Sequence, residues 1–176
     1  MKIIKNSLGF WLKNFPFKNI KSHKYSRGQL TVVSGENEMI GASMLSAEAA
    51  LRTGVGAVKV ICTKKNFKLF TLKFPSMLKK KVNNLNEFKK YVKKNKNSAY
   101  LIGPGAGVSQ STLQKTTYLL KNVKYVILDA DSLTSFKGKT KKLYTLLDEN
   151  KIITPHIKEF KTIFPNLKKI NSNKKL

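Results

Sequence analysis

Four short segments of this chain carry residue types that do chemistry when a fold brings them together. Two are glycine loops, Ser34–Ala42 and Gly103-Pro104-Gly105-Ala106-Gly107. Their backbones accept close approach, and their amide N–H groups suit an anion or polar ligand at a helix start. The third is Asp129-Ala130-Asp131, whose carboxyl groups flank one residue and are placed to share a cation or a water. Asp131 is the expected N-cap of the segment opening Ser132-Leu133, which leaves Asp129 as the ligand or structural anchor. The fourth is Thr154-Pro155-His156 with Glu159 three residues on, a proline-stiffened turn whose histidine serves more often as turn donor or cap than as catalyst.

Standard motifs do not account for these loops. Val108 stands where the third glycine of a dinucleotide fingerprint belongs, and Pro104 stiffens a turn that would have to wrap pyrophosphate. Five residues separate Gly35 from Gly41 and no lysine follows, so Gly35–Ser43 is not a P-loop. His23 and His156 are the two histidines and Cys62 the one cysteine, too few for a zinc site built on His and Cys. No G-x-S-x-G elbow supports a serine triad.

These loops need elements to hold them. From Gln29 to Val33 the chain reads as a strand, Ala42–Arg52 as a small-residue helix stopped by Gly54 and Gly56, and Ala57–Cys62 as a strand covered on both faces. The alternation repeats: strand Ala99–Ile102, helix Ser109–Leu120, strand Tyr125–Leu128. A short helix Asp131–Phe136, a helix Lys139–Glu149, strand Lys151–Thr154 and a helix opening at Glu159–Phe164 follow. Leu85–Val92 reads as an amphipathic helix, and Lys64–Lys81 is ambiguous. Strands alternating with helices predict a doubly wound parallel α/β sheet, in which ligands collect beyond the carboxyl ends of the strands. Each of the four loops follows such an end. The expected organisation is an N-terminal segment 1–28 docking on the core, a partial domain 29–166 and a frayed tail 167–176.

Composition bounds the partners. The 176 residues hold 35 Lys and Arg against 9 Asp and Glu, a formal charge of +26. Arg27 and Arg52 are the two arginines, so the excess is lysine, which lacks the planar fork used for bidentate phosphate and guanine contacts. The lysines are scattered over Lys79–Lys81, Lys89–Lys96, Lys139–Lys142 and the tail, which ranks non-specific nucleic-acid binding third among the readings. The lone Cys62 permits no disulfide within the chain and fits a reducing compartment. Nowhere do the roughly 20 consecutive apolar residues of a membrane span occur, and no secretory apolar region survives Lys13, Asn14 and Pro16, so a cytoplasmic location and no membrane partner are expected.

Taken in order, the loops resemble one family, the NAD(P)H-hydrate dehydratases, and with them the ribokinase-like three-layer α/β/α fold. The carriers are His23-Lys24-Tyr25-Ser26-Arg27-Gly28, Gly35 through Gly41-Ala42, Ala47–Arg52 running into Gly54-Val55-Gly56, and Ile102-Gly103-Pro104-Gly105. Leu128-Asp129-Ala130-Asp131-Ser132-Leu133 and Thr154-Pro155-His156 with Glu159-Phe160 complete the set. The resemblance implies a repair enzyme that uses ADP or ATP with Mg2+ to remove water from the hydrated nicotinamide ring of NADH or NADPH, phosphoryl transfer driving the elimination. It implies that Ala42, Gly105 and His156 contact the hydrate. Gly41, Gly103 and Asp129 would line or brace the pocket, with Glu159 toward the phosphate and magnesium. A small-molecule kinase of the same fold is the enzyme-class alternative.

The departures are as informative. The family's Lys-Gly strand and Gly-Thr-Gly-Asp turn, which supply the nucleotide contacts, the anion hole and the catalytic base, do not occur in these 176 residues. Ser34 stands where a glycine is usual, Ile40 where proline is usual, and Ile157-Lys158 where Pro-Gly is usual. The chain therefore reads as the amino-terminal portion of such an enzyme, inactive alone and with its sheet incomplete at the C-terminus. An apolar face or strand edge should lie uncovered, so that either a separately encoded remainder or a second copy completes the core, or the product, truncated, split or degenerated, is poorly stable.

Overall fold

The computed structural model describes residues 5, 7–15, 17, 21–24, 26–35 and 39–166. Central strands here are short, apolar and buried on both sides, the pattern a parallel sheet imposes when helices cover its faces. β1 (Gln29–Val33) and β2 (Ala57–Cys62) are the clearest cases. β3 (Leu78–Lys81), β4 (Ala99–Ile102), β5 (Val126–Leu128) and β6 (Lys151–Ile153) complete a six-stranded sheet of order β3-β2-β1-β4-β5-β6. Every pairing is parallel, so all carboxyl ends share one rim.

Helices follow the strands in chain order. A short α1 (Leu8–Trp11) runs into a 3-10 turn (Leu12–Asn14) before the sheet begins. α2 (Ile40–Arg52) and α3 (Lys64–Lys73) pack over β1, β2 and β3, with Ala47, Ala50, Phe70 and Phe74 meeting Leu30, Val32, Val58 and Val60. α4 (Leu85–Lys94) and α5 (Gln110–Asn122) take the opposite face, with α6 (Asp131–Thr134), α7 (Thr140–Tyr144) and α8 (Ile157–Ile163). There Phe88, Leu119, Leu133, Leu143 and Ile163 meet Tyr100, Ile102, Val126 and Leu128. The result is a doubly wound three-layer sheet whose winding reverses between β1 and β4, as the sequence predicts.

Local chemistry sets the ends of these helices. α2 closes in a Schellman turn: Val55 N–H donates to Ala50 O (3.3 Å), Gly54 N–H donates to Leu51 O (3.1 Å), and Gly54 takes φ +94°. Asn84 caps α4 by accepting from Glu87 N–H (2.9 Å), and Ser109 caps α5 by accepting from Thr112 N–H (3.1 Å). α7 stops at Tyr144, short of the predicted Glu149. The chain is turned instead by Asp148, whose carboxylate accepts from Asn150 N–H (2.8 Å) and whose carbonyl accepts from Lys151 N–H (3.1 Å).

The ambiguous stretch resolves into α3 and β3. β3 is an edge strand with one neighbour, and its Leu-Lys-Lys-Lys sequence shows no apolar alternation because little of it is covered. The tail 167–176 and parts of the N-terminal segment lie outside the described residues. Within that segment Lys24 docks closely: a Cβ on Gly56 would meet Lys24 O at 1.7 Å. Trp11 packs on Phe15 at 5.6 Å and Phe15 on Phe17 at 4.9 Å, and these rings, like Phe10, are exposed.

Cys62 ends β2 with 1% of its surface exposed. Burial pushes its thiol up to about 11, against the opposing pull of Lys79 and Lys81. The unfolded thiol ionises first, so this group's contribution to stability falls as pH rises above about 8.5 and continues falling toward 11. Alkylation by iodoacetamide at pH 8.5 should therefore be at least tenfold slower in buffer than in urea; equal rates would contradict the burial.

Candidate functional site

The winding reversal opens a crevice between the carboxyl ends of β1 and β4, and the two glycine loops meet there. They meet backbone to backbone. A Cβ on Gly35 would lie 1.9 Å from Gly105 O and 2.7 Å from Ala106 Cα. A Cβ on Gly105, whose φ is +64°, would lie 2.1 Å from Met39 O. That same Met39 carbonyl accepts from Ala42 N–H at 3.0 Å in the first turn of α2. Gly105 and the Ala42 end of α2 are thus joined through one carbonyl.

The band continues along the rim. Gly103 adopts φ +131° and presses on Asp129, whose carbonyl would stand 1.7 Å from a Cβ there. Gly107 N–H donates to Asp131 Oδ2 at 2.8 Å. Thr154 Oγ1 donates to Asp129 Oδ1 at 2.8 Å, and Thr154 N–H to Leu128 O at 3.0 Å. His156, two residues on, is the N-cap of α8. The loops after β1, β4, β5 and β6 therefore form one connected edge. β4 and β6 are two strand spacings apart, about 10 Å.

One expectation is corrected here. Asp131 is the first helical residue of α6, not its N-cap, which is Ala130. Ala130 sits at φ 45°, ψ −119°, closing a tight turn in which Ser132 N–H (3.1 Å) and Ser132 Oγ (2.8 Å) both donate to Asp129 O. With that turn satisfied by the backbone and a hydroxyl, the Asp131 carboxylate crosses to Gly107 instead. The positive φ of a non-glycine residue marks strain held by its surroundings.

His156 behaves as a cap, as its turn suggests. Its Nδ1 accepts from Lys158 N–H (3.1 Å) and Glu159 N–H (3.4 Å), while Glu159 Oε2 accepts from His156 N–H (3.0 Å). Glu159 Oε1 lies 3.2 Å from His156 Nε2. This is a capping box with a histidine in the first position. An Nδ1 that accepts places the ring proton on Nε2. The Glu159 carboxylate is nearly buried and both its oxygens face His156.

Four ionisable side chains described on this rim are already fixed by partners in the fold: Asp129 by Thr154, Asp131 by Gly107, and His156 and Glu159 by each other. Such a surface positions and recognises. Among the described residues no group of three His, Cys, Asp or Glu side chains is placed to hold a metal ion. Beside the rim, under the start of α5, lies a cavity of about 260 Å³ lined by Ser34, Gly35, Ala106, Gly107, Thr112 and Lys115.

The structure also explains the departures from the family pattern. Ser34 Oγ bonds Ser43 Oγ of α2 at 3.0 Å and donates to Gly35 O at 3.1 Å, so the additional hydroxyl has partners. Ile40 and Ile157 are the first helical residues of α2 and α8, where proline is favoured because the N–H has no intrahelical partner. His156 at φ −72°, ψ 173° has the conformation a following proline requires, whereas Met39 at ψ 11° does not. Ile157→Pro should raise stability by about 0.4–1 kcal/mol in urea melts, and a loss would contradict the assigned helix start.

Sequence reasoning missed two participants. Asn66 of α3 is buried and its Nδ2 donates to Gly35 O at 2.9 Å, bracing the first loop from a lysine-rich segment without any motif. Met39 contributes through its carbonyl, which no side-chain pattern reveals. Conversely, the His23–Gly28 motif is a local turn. Ser26 Oγ donates to His23 O (2.9 Å), and Gly28 O accepts from Ala57 N–H (3.3 Å) at the amino-terminal ends of the strands, away from the rim.

The doubly wound sheet with a glycine-lined crevice at its winding reversal is an α/β architecture, and solved structures of ribokinase-like fold share it. A ribokinase-like superfamily protein from Enterococcus faecalis matches with a TM-score of 0.72 at 23% identity, covering 84% of this chain and 51% of that one. An ADP/ATP-dependent NAD(P)H-hydrate dehydratase from Bacillus subtilis, co-crystallised with ATP/Mg2+, matches at 0.68 and 24% identity, covering 86% and 52%. The chain belongs to the NAD(P)H-hydrate dehydratase family, whose model matches residues 30–176. An ADP-dependent (S)-NAD(P)H-hydrate dehydratase from Staphylococcus aureus is 29% identical over 153 residues, 85% of this chain and 54% of the relative. A bifunctional NAD(P)H-hydrate repair enzyme from Escherichia coli is 29% identical over 152 residues, 85% of this chain and 27% of the relative. This chain thus spans about half the length of the first relative. No described helix is long and apolar enough to cross a membrane.

Proposed function

We propose that this chain forms the nicotinamide-side wall of an ADP- or ATP-dependent NAD(P)H-hydrate dehydratase, with Ala42, Gly105 and His156 contacting the hydrate. The carrying observation is the backbone contact of Gly35, Gly105 and Met39 at the winding reversal, which joins the start of α2 to the β4 loop with no side chain between them. Gly41 is exposed there and a Cβ on it would meet no atom of the described residues within 4 Å, which suits approach of a ligand to the helix start. Gly103 and Asp129 hold the β4 and β5 loops at a fixed spacing, and Thr154 ties the β6 loop to them.

ADP or ATP with Mg2+ would supply the phosphoryl group that turns the ring hydroxyl into a leaving group. The described residues do not fit a role as its main holder: they offer no metal-ligating cluster, and Glu159 is occupied by His156. The part of this chain is to bind and orient the hydrated ring. The expected result for the purified 176-residue chain is saturable binding of hydrated NADH without turnover in the presence of ADP and Mg2+. Robust nucleotide-dependent dehydration would overturn the division of labour.

His156 can be tested apart from its cap. His156→Ala should cost about 1 kcal/mol of stability, whereas His156→Asn keeps an acceptor for the α8 amides and should restore most of it. Both variants should bind hydrated NADH less tightly than the parent. Undiminished binding by His156→Asn would remove the imidazole from the substrate contact.

A further inference from the structure

One residue of β2 is not explained by the covered sheet. Lys59 interrupts an otherwise apolar strand that has a neighbour on each side, and it stands in register with Thr31 of β1 and, beyond it, Tyr100 of β4, both fully buried. A lysine so placed calls for a carboxylate, because a charge drawn out of water without a counter-charge is costly. Here the half-buried Nζ donates to the neutral Asn95 Oδ1 at 3.1 Å, and among the described residues no carboxylate pairs with it. Lys59 lines a hollow of about 410 Å³ at the amino-terminal ends of the strands, together with Lys93 and Lys94 from the last turn of α4 and Lys96 from the loop that follows. No Asp or Glu lines it. Its floor is held from beneath: Asn95 Nδ2 donates to Tyr91 O (2.9 Å), Tyr100 Oη donates to Asn95 O (3.2 Å), and the buried Ser98 Oγ bonds Thr31 Oγ1 (3.0 Å).

We propose that this hollow is a binding site for a compact polyphosphate anion, a chain of two or three phosphoryl groups whose charge the four ammonium groups meet. Lysine serves phosphate well as a point charge, without the fork geometry that arginine would impose. The carboxyl end of α4 presents about half a negative charge to Lys93 and Lys94, which offsets less than one of the four cations. The volume falls within the roughly 300–1,000 Å³ of small-molecule sites, and a lining of lysines, amides and a hydroxyl excludes an apolar occupant. An extended nucleic-acid strand would want aromatic platforms for its bases, and no aromatic ring lines the hollow. In sequence these lysines belong to a scattered excess, and the fold is what converges Lys59 on the cluster closing α4. The site lies at the opposite end of the strands from the glycine rim, so it stands apart from the dehydratase reading.

The test titrates inorganic triphosphate into the full 176-residue chain at about 0.1 M salt without Mg2+, read by calorimetry and by backbone amides. The expected result is one saturable site per chain, with shifts at Lys59 and at residues 95–98. Lys59→Met keeps the stem and removes the charge. It should weaken binding at least tenfold while the unliganded thermal midpoint stays at or above that of the parent, because an uncompensated charge has gone. Lys96→Gln, at the mouth of the hollow, should weaken binding severalfold, whereas Lys80→Gln on the β3 edge removes the same charge elsewhere and should change it less than twofold. Four outcomes overturn the proposal: no saturation, shifts confined to the glycine rim, equal weakening by all three variants, or tighter binding of a single-stranded oligonucleotide than of triphosphate at equal phosphate concentration. The third would show attraction by net charge alone, and the fourth an extended polyanion in place of a compact one.

Discussion

Gly103→Ala is expected to be the most damaging single substitution at the rim, costing about 4 kcal/mol or more and lowering the thermal midpoint by about 8–16 °C. Two causes act together. The φ of +131° lies where an L side chain is strained, and the added Cβ would stand 1.7 Å from Asp129 O and 2.8 Å from Ser132 Oγ. Relief by a rotamer change is unavailable, because the nearest atom is backbone and that carbonyl also accepts both Ser132 donors. The β4 and β5 loops would have to separate. Circular dichroism melts of the parent and variant check this, and a midpoint within 2 °C of the parent would contradict the close approach.

Gly35→Ala should come next, at about 3 kcal/mol and a midpoint lower by about 6–12 °C. Its cause is contact alone: the new Cβ would fall 1.9 Å from Gly105 O and 2.7 Å from Ala106 Cα, so the β1 and β4 loops must part. Here the damage is functional as well, since the crevice between these loops is the ligand-facing feature of the rim. The variant, assayed well below its midpoint, should bind hydrated NADH at least tenfold more weakly than the parent. Parent-like affinity in a destabilised variant would mean that the hydrate is held elsewhere. Parent-like stability would mean that the two backbones do not meet.

Much of the fold was legible because the strands announce themselves by burial. Gln29–Val33 and Ala57–Cys62 are runs that a covered parallel sheet demands, and their observed limits match the reading. β3 was illegible for the opposite reason: an edge strand of lysines buries little, and its place is fixed by pairing with Lys59–Cys62. The end of α7 is not legible because Leu143, Leu146 and Leu147 keep helical spacing past Tyr144, while the stop comes from the turn at Asp148. At the site Gly35, Gly103 and Gly105 mark close approaches, whereas Gly41 does not. The partners of those approaches are carbonyls of Met39, Gly105 and Asp129, and backbone atoms leave no trace in residue type. Asp131 was misread as a cap because sequence cannot foresee the positive φ at Ala130 that satisfies the turn first.

Recognition of hydrated nicotinamide by loops gathered at one end of the sheet is tested most directly by following backbone amides of the labelled chain during titration with hydrated NADH. The account predicts progressive shifts at Gly41, Ala42, Gly105 and His156, saturating together with a single affinity. Shifts confined to the lysine-rich hollow of about 410 Å³ at the opposite end of the strands, lined by Gln29, Lys59, Lys93, Lys94, Lys96 and Ser98, would contradict it and show plain anion attraction instead.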